Sequence, residues 1–321
     1  MNKVIERIER QAGITGLVSI LAERLSPTDL QSLLLEVYRV RSQQIQPSAV
    51  LSDFESNRFV RPSAVSPVSL MRWEQMAFSH LPDNFERLAL SPVCPFGTNS
   101  AVAPIDQNWA VTTSRNTEVV SDSTNVLALE CALRRRKFLR NNSKSSEPVH
   151  LAASHRLLRP QKYEDPRSIP HFGTFALCSA GRDQGNLRCE LSYLGVHIRF
   201  YLSALRAFLG PRVPLHLTLT DFGPNPRGEW MEAQLLTATR TEFEGVECKW
   251  DRQRTKGKEY YRDLCFHIHA TDSSGEQMEL VDGGSVDWTQ KYLSNAKERL
   301  IISGIGSERL CSEFGTRNPA S

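Results

Sequence analysis

The chain has 321 residues, of which 40% are hydrophobic, 8% aromatic and 23% charged. That is the composition of a folded globular chain, and it excludes a disordered or collagen-like one. The length fits one large domain, with or without a small appendage. Thirty-nine basic against 36 acidic residues give a formal charge of +3, too small to indicate nucleic-acid or membrane binding by itself.

The N-terminus, MNKVIERIERQAG, is charged throughout and lacks the apolar centre of a signal peptide. No run approaches the ~20 apolar residues of a membrane span. The seven cysteines are scattered, with no Cys-x-x-Cys pair, so free thiols in a reducing compartment are expected. Together these features suggest a soluble, cytoplasmic protein.

The first sixty residues read as helices. Ser26-Pro27-Thr28-Asp29 is a helix start, and Leu30, Leu33, Leu34, Val37 and Tyr38 then recur at helical spacing as one apolar face. Proline and serine between Arg61 and Pro67 punctuate the passage onward. The expected division is a helical appendage over residues 1–65 and a core over 66–321. A second helical pattern, with Leu70, Trp73, Met76 and Ala77, leads to an extended run from Leu88 to Val93. Trp109 to Thr113 reads as a strand and Val126 to Phe138 as a helix. The basic cluster of Arg134, Arg135, Arg136, Lys137 and Arg140 reads as a solvated helix face; an acidic ligand or RNA is the other reading. Asn141 to Pro148 is apolar-free and reads as a mobile surface loop.

Farther on, Leu191, Leu194, Ile198, Tyr201, Leu205 and Phe208 mark an amphipathic helix. Strands are expected over Val213–Thr220, Asp263–Ala270 and Gln277–Val281, the last two joined by the turn Asp272-Ser273-Ser274-Gly275. Turn-linked strands with helices interspersed irregularly imply an α+β fold on a mainly antiparallel sheet flanked by helices.

The densest chemistry lies near the C-terminal end. Leu300-Ile301-Ile302 runs into Gly304-Ile305-Gly306 and a helix beginning at Ser307 with Arg309 in its first turn. Two glycines admit a ligand to the backbone, the helix N-terminus favours negative charge, and Arg309 offers a planar fork of donors. Gly304-Ile305-Gly306-Ser307-Glu308-Arg309-Leu310 resembles the third signature motif of class II aminoacyl-tRNA synthetases. Upstream, His155-Arg156-Leu157-Leu158-Arg159-Pro160-Gln161-Lys162 is similar to the second motif of the histidyl-tRNA synthetase subgroup. Leu70 to Pro92 resembles the first motif, which builds that family's dimer interface. Lys256-Gly257-Lys258-Glu259-Tyr260-Tyr261 and Gly283-Gly284-Ser285-Val286-Asp287 are similar to two further segments of the subgroup. The resemblance spans residues 67–311.

It implies a class II core that uses ATP with Mg²⁺ as a co-substrate. By the resemblance, Arg156, Lys256 and Arg309 are catalytic. Arg156, Phe172, Gly304, Gly306 and Arg309 hold ATP, with Arg156 on the α-phosphate, Arg309 on the terminal phosphate and Phe172 stacked on adenine. Glu259, Tyr260, Tyr261, Gly283 and Gly284 contact the amino acid or other small carboxylate, and Glu279 with Asp282 holds Mg²⁺; no tightly bound metal is expected. The departures are Leu158 for a glutamate, Lys256 for an arginine, and Ser285 and Val286 for Arg and Tyr. With no anticodon-binding domain after Cys311, ordinary tRNA charging is not expected.

Two functions follow. One is a homodimeric, ATP-dependent ligase that forms an acyl-adenylate and transfers it to a non-standard acceptor. The other is a non-catalytic paralogue that senses an amino acid or nucleotide and regulates a partner enzyme. The retained arginines tilt the sequence reading toward the ligase. His267 and His269 alternate on one strand face, and a hydrogen-bonded pair lining the substrate side is expected, since spacing identifies no third metal ligand.

Overall fold

Residues 3–161, 169–223 and 232–315 are described by a computed structural model; Lys162, at the end of the second-motif resemblance, lies outside them. Helices α1 (Lys3–Ala12), α2 (Leu17–Ser19), α3 (Pro27–Ser42) and α4 (Pro47–Ser56) open the chain. Helix α3 starts at the cap read from sequence, where the Ser26 hydroxyl accepts from the Asp29 backbone N–H at 3.1 Å. No described residue before Trp73 is buried; on the apolar face of α3, Leu30 and Leu34 are half-buried while Leu33, Val37 and Tyr38 stay exposed. Arg58 donates to the carbonyls of Pro160 and Gln161 at 2.9 Å, tying this region to the main body.

Helix α5 (Pro67–His80) begins with proline in its first turn and buries Trp73 and Ala77. After it come β1 (Glu86–Arg87), β2 (Val93–Pro95), β3 (Thr117–Val119) and α6 (Ser123–Asn141). Then follow β4 (Val149–Leu158), β5 (His171–Arg182), α7 (Arg188–Leu209), β6 (Leu215–Asp221), α8 (Thr237–Glu242) and β7 (Val246–Trp250). The chain continues through β8 (Leu264–Thr271), β9 (Gln277–Val286), α9 (Trp288–Leu293), β10 (Glu298–Gly306) and α10 (Ser307–Phe314). An eight-stranded sheet runs in the order β1-β4-β5-β10-β9-β8-β6-β7. Its pairings are antiparallel except at the two edges, where β1 lies parallel to β4 and β7 parallel to β6.

Alternation along each strand divides the side chains between two cores. On β5, Phe175 and Leu177 face a back layer with Trp73, Leu194, Ile198, Tyr201 and Leu205. Ala176, Cys178 and Ala180 face a front layer with Leu127 and Cys131 of α6, Tyr261 and Trp288. Helices α5, α7 and α10 thus cover the back, and α6 covers part of the front.

Four local expectations need correction. Leu88–Val93 is not one strand: Glu86–Arg87 pairs with β4 and Val93–Pro95 with β3, interrupted where Pro92 has no N–H to give to a ladder. Over Trp109–Thr113, a 3₁₀ turn at Gln107–Trp109, capped by Asp106, replaces the expected strand, leaving one isolated bridge from Thr112 to Glu118. The basic cluster is not simply a solvated face, since the Arg135 and Glu298 side chains are both fully buried and paired. Arg135 also bonds the carbonyls of Ser145 and Glu147, so the polar loop is tied down. All seven cysteines are free and buried; burial pushes the Cys265 thiol up to about 12.

Candidate ligand cleft on the front of the sheet

Strand register sorts the expected site residues. Gly306 pairs with Thr174, and Gly304 with Ala176 and Asp282. Directly opposed residues share a face, so both glycines belong to the front, where the Thr174 and Ser123 hydroxyls meet at 2.9 Å. A Cβ at Gly304 would meet nothing closer than the Phe175 carbonyl at 3.9 Å, and one at Gly306 the Arg309 Cβ at 3.7 Å. The backbone is therefore open to a ligand there. At Gly283 and Gly284 the reverse holds. A Cβ would lie 2.5 Å from the Ser303 Cβ or the Leu264 carbonyl, so these two glycines serve close packing of the strands.

Phe172 pairs with Leu157 and packs toward Cys94 and Val120. The Arg159 guanidinium carbon lies 5.4 Å from the Phe172 ring centre, its Nε donates to the Ser121 carbonyl at 2.7 Å, and Nη2 reaches Asp122 Oδ2 at 3.3 Å. Asp122 caps α6, accepting from the Thr124 N–H at 2.9 Å. Beside it Tyr260 meets Trp288 edge-on at 5.5 Å. Burial, reinforced by Asp122, pushes the Tyr260 phenol well above its usual range.

Arg156 does not join this group. It pairs with Gly173 rather than Phe172, so its side chain leaves by the back face. There it forms an ion pair with the buried carboxylate of Glu308, which also accepts from the Gly173 N–H. Its Nη1 lies 3.0 Å from His171 Nδ1. Sequence order suggested an α-phosphate ligand; a one-residue difference in alternation makes Arg156 a clasp between β4 and α10. His155 takes the front position instead, with Nε2 buried and unpartnered. Leu158 pairs with His171, on the same side as Arg156.

Arg309 is exposed and, among the described residues, its side chain reaches the Glu279 carbonyl at 3.3 Å. Lys256 is 83% exposed, with Nζ 4.0 Å from Glu279 Oε2, and Glu259 is exposed. A cation held deep beside these residues is Arg254, which sequence reasoning did not single out. Its Nη2 lies 3.2 Å from Asp282 Oδ1, and its guanidinium carbon lies 5.6 Å from the Tyr261 ring centre. Only its place two residues before Lys256 pointed to it.

On the same face β8 and β9 bring together His267, His269, Glu279 and Asp282. His267 Nε2 lies 3.2 Å from Asp282 Oδ1 and 3.8 Å from Glu279 Oε2, yet in hydrogen-bond alignment with neither. The two rings meet edge-on at 5.5 Å and share the front face, as alternation leads one to expect, with acidic side chains rather than each other as their polar neighbours. A bulge makes the cluster: Ile268 pairs with Val281 but His269 with Glu279, leaving Leu280 as the extra residue. Burial works to raise the Asp282 carboxyl, but His267 and Arg254 outweigh it and hold the group below its usual range. Burial, with His267 alongside, lowers the His269 imidazole.

No known family profile matches the chain, and no curated protein matches it. Solved structures do. The apo histidyl-tRNA synthetase of S. aureus superposes with a TM-score of 0.58 at 12% identity, covering 81% of this chain and 71% of that one. The fold is that of a class II aminoacyl-tRNA synthetase core of the histidyl type. An ATP phosphoribosyltransferase regulatory subunit/histidyl-tRNA synthetase from Bacillus halodurans gives 0.59 at 12% identity, with 79% and 82% coverage. The RNA-binding domain of threonyl-tRNA synthetase from Cryptosporidium parvum Iowa II gives 0.51 at 11%, with 77% and 63% coverage. The similarity of fold thus extends over most of this chain. Among the described residues, no helix is long and apolar enough to cross a membrane.

Proposed function

We propose that this chain is a ligand-binding paralogue of the histidyl-type core, one that takes an adenine nucleotide or an amino acid into the front cleft without activating it and regulates a partner enzyme. The observation that carries this reading is Arg156 turned to the back of the sheet and paired with Glu308. Carboxylate activation needs fixed positive charge where the α-phosphate gains charge, and the strand that would supply it offers His155 and Leu157 to the front instead. Phe172 under Arg159 and the open backbone at Gly304 and Gly306 still suit a nucleotide. A regulatory subunit is named among the neighbours of this fold.

The second reading keeps the ATP-dependent ligase, favoured by Arg309, an exposed cation next to the open Gly306 with no carboxylate paired to it among the described residues. In it, Glu279 and Asp282 would hold Mg²⁺, which would neutralise charge on the phosphates of ATP. Either reading allows a two-fold homodimer through α5, where Val68 and Met71 are exposed by 68% and 60%. One pair of measurements on the full chain separates the readings: calorimetry with ATP, AMP and the amino acids, and ATP–pyrophosphate exchange across the same amino acids. Saturable binding without exchange is expected. Amino-acid-dependent exchange that disappears in Arg309→Ala would establish the ligase instead.

A further inference from the structure

We propose that His267, His269 and Glu279 form a site for a transition-metal dication of the Zn²⁺ class on the front of the sheet. The three side chains each offer one ligand atom, and these atoms all lie within 4.8 Å of one another. Two imidazoles with one carboxylate suit Zn²⁺ better than Mg²⁺, which prefers oxygen ligands. Three protein ligands leave a fourth position open for water or a ligand. The inference stands whether or not the cleft takes a nucleotide.

The second observation is the state of His267. Its side chain is only 9% exposed, and its Nε2 faces Glu279 and Asp282 without a hydrogen bond. The nitrogen thus has a carboxylate beside it at 3.2 Å but no well-aligned bond, and coordination would give it a full partner. Zn–N and Zn–O bonds of about 2.0–2.1 Å put tetrahedral ligand atoms about 3.4 Å apart. Closing the cluster therefore needs shifts below about 1.5 Å, well within reach of the Glu279 side chain. Asp282, held by Arg254, stays beside His267 as an outer carboxylate. Three cations oppose a bound dication: Arg254 is paired with Asp282, while the exposed side chains of Lys256 and Arg309 can swing into water. His216, next to His269 in the ladder, is excluded because Glu247 and Thr271 hold both its ring nitrogens at 2.8 Å.

The test uses full-length, tag-free, chelator-stripped protein titrated with Zn²⁺ and with Co²⁺, followed by calorimetry and visible absorption. One ion per chain is expected, with the visible bands of tetrahedral Co²⁺ that Zn²⁺ then bleaches. Loss of a ligand exceeds the 10–100-fold effect of outer-shell changes, so Glu279→Gln and His269→Ala should each weaken binding by at least about 100-fold. His216→Ala should leave affinity unchanged. Glu279 is one-third exposed, so its variant keeps the fold, and circular dichroism checks this. Absence of saturable one-per-chain uptake would overturn the proposal, as would uptake that survives unchanged in Glu279→Gln and His269→Ala.

Discussion

The buried pair of Arg135 and Glu298 joins α6 to β10 across the front core, and its removal should be among the costliest single changes in the molecule. Arg135 Nε donates to Glu298 Oε2 at 2.8 Å and Nη2 to Oε1 at 3.0 Å, a two-pronged contact with both side chains at 0% exposure. Glu298→Gln keeps the shape but strands a guanidinium without counter-charge, which costs about 3–5 kcal/mol. Unfolding entropy near 2.1 cal/mol/K per residue amounts to about 0.7 kcal/mol/K for this length, so the melting temperature should drop by about 4–7 °C. Arg135→Met should cost a similar amount. The double variant Arg135→Met/Glu298→Leu strands no charge and loses chiefly the ties to Ser145 and Glu147, about 1–2 kcal/mol. Urea unfolding followed by fluorescence of the five tryptophans measures all three. If Glu298→Gln cost under about 1 kcal/mol, or if the single losses simply added in the double variant, the pair would not be the counter-charged lock described here.

Two other outcomes follow. Arg309→Ala should weaken ATP binding by about 10- to 100-fold, as loss of a charged hydrogen bond does, while AMP affinity holds; Arg156→Ala, acting on the back face, should change neither, and calorimetry with both nucleotides decides. His197, buried between Ser179 and Ser303, is held down to about 3 by burial, against 6.5 for the exposed group. Between these pH values the unfolded chain binds the extra proton, so this contribution is complete above 6.5 and fades as pH falls toward 3, by about 2 kcal/mol between 6.5 and 5. Urea unfolding at the two pH values measures the slope, and His197→Gln should flatten it; an unchanged slope in that variant would assign it elsewhere.

Much of the fold was legible because its signals are local. Ser26 and Pro27 start α3, the leucines and aromatics of α7 recur at helical spacing, and Asp272 to Gly275 turns β8 into β9. The ordered motifs were enough to name the core. Less of the candidate cleft could be read, because a motif fixes the order of residues and not the side of a sheet on which each one stands. Arg156 and Phe172 are read as one nucleotide site by their motif, yet the register of β4 against β5 puts them on opposite sides. Arg135 looked solvated within a run of like charges, since its partner Glu298 lies 163 positions away. Glu279 was placed beside Asp282 but not beside the histidines, because no spacing rule carries a bulge.

That bulge at Leu280 also bears on which groups meet in the cleft. Glu279 and Asp282 stand three positions apart, and on an unbroken strand they would point in opposite directions. The extra residue lets both carboxylates meet His267 while Leu280 and Val281 both face the back core. The bulge absorbs one residue of β9 in place: without Leu280, Asp282, Val281 and Glu279 would alternate regularly and Glu279 would stay opposite His269. The chemistry on this face thus depends on Leu280 being taken up as a bulge, because a strand of the same sequence in unbroken register would turn Glu279 to the back core.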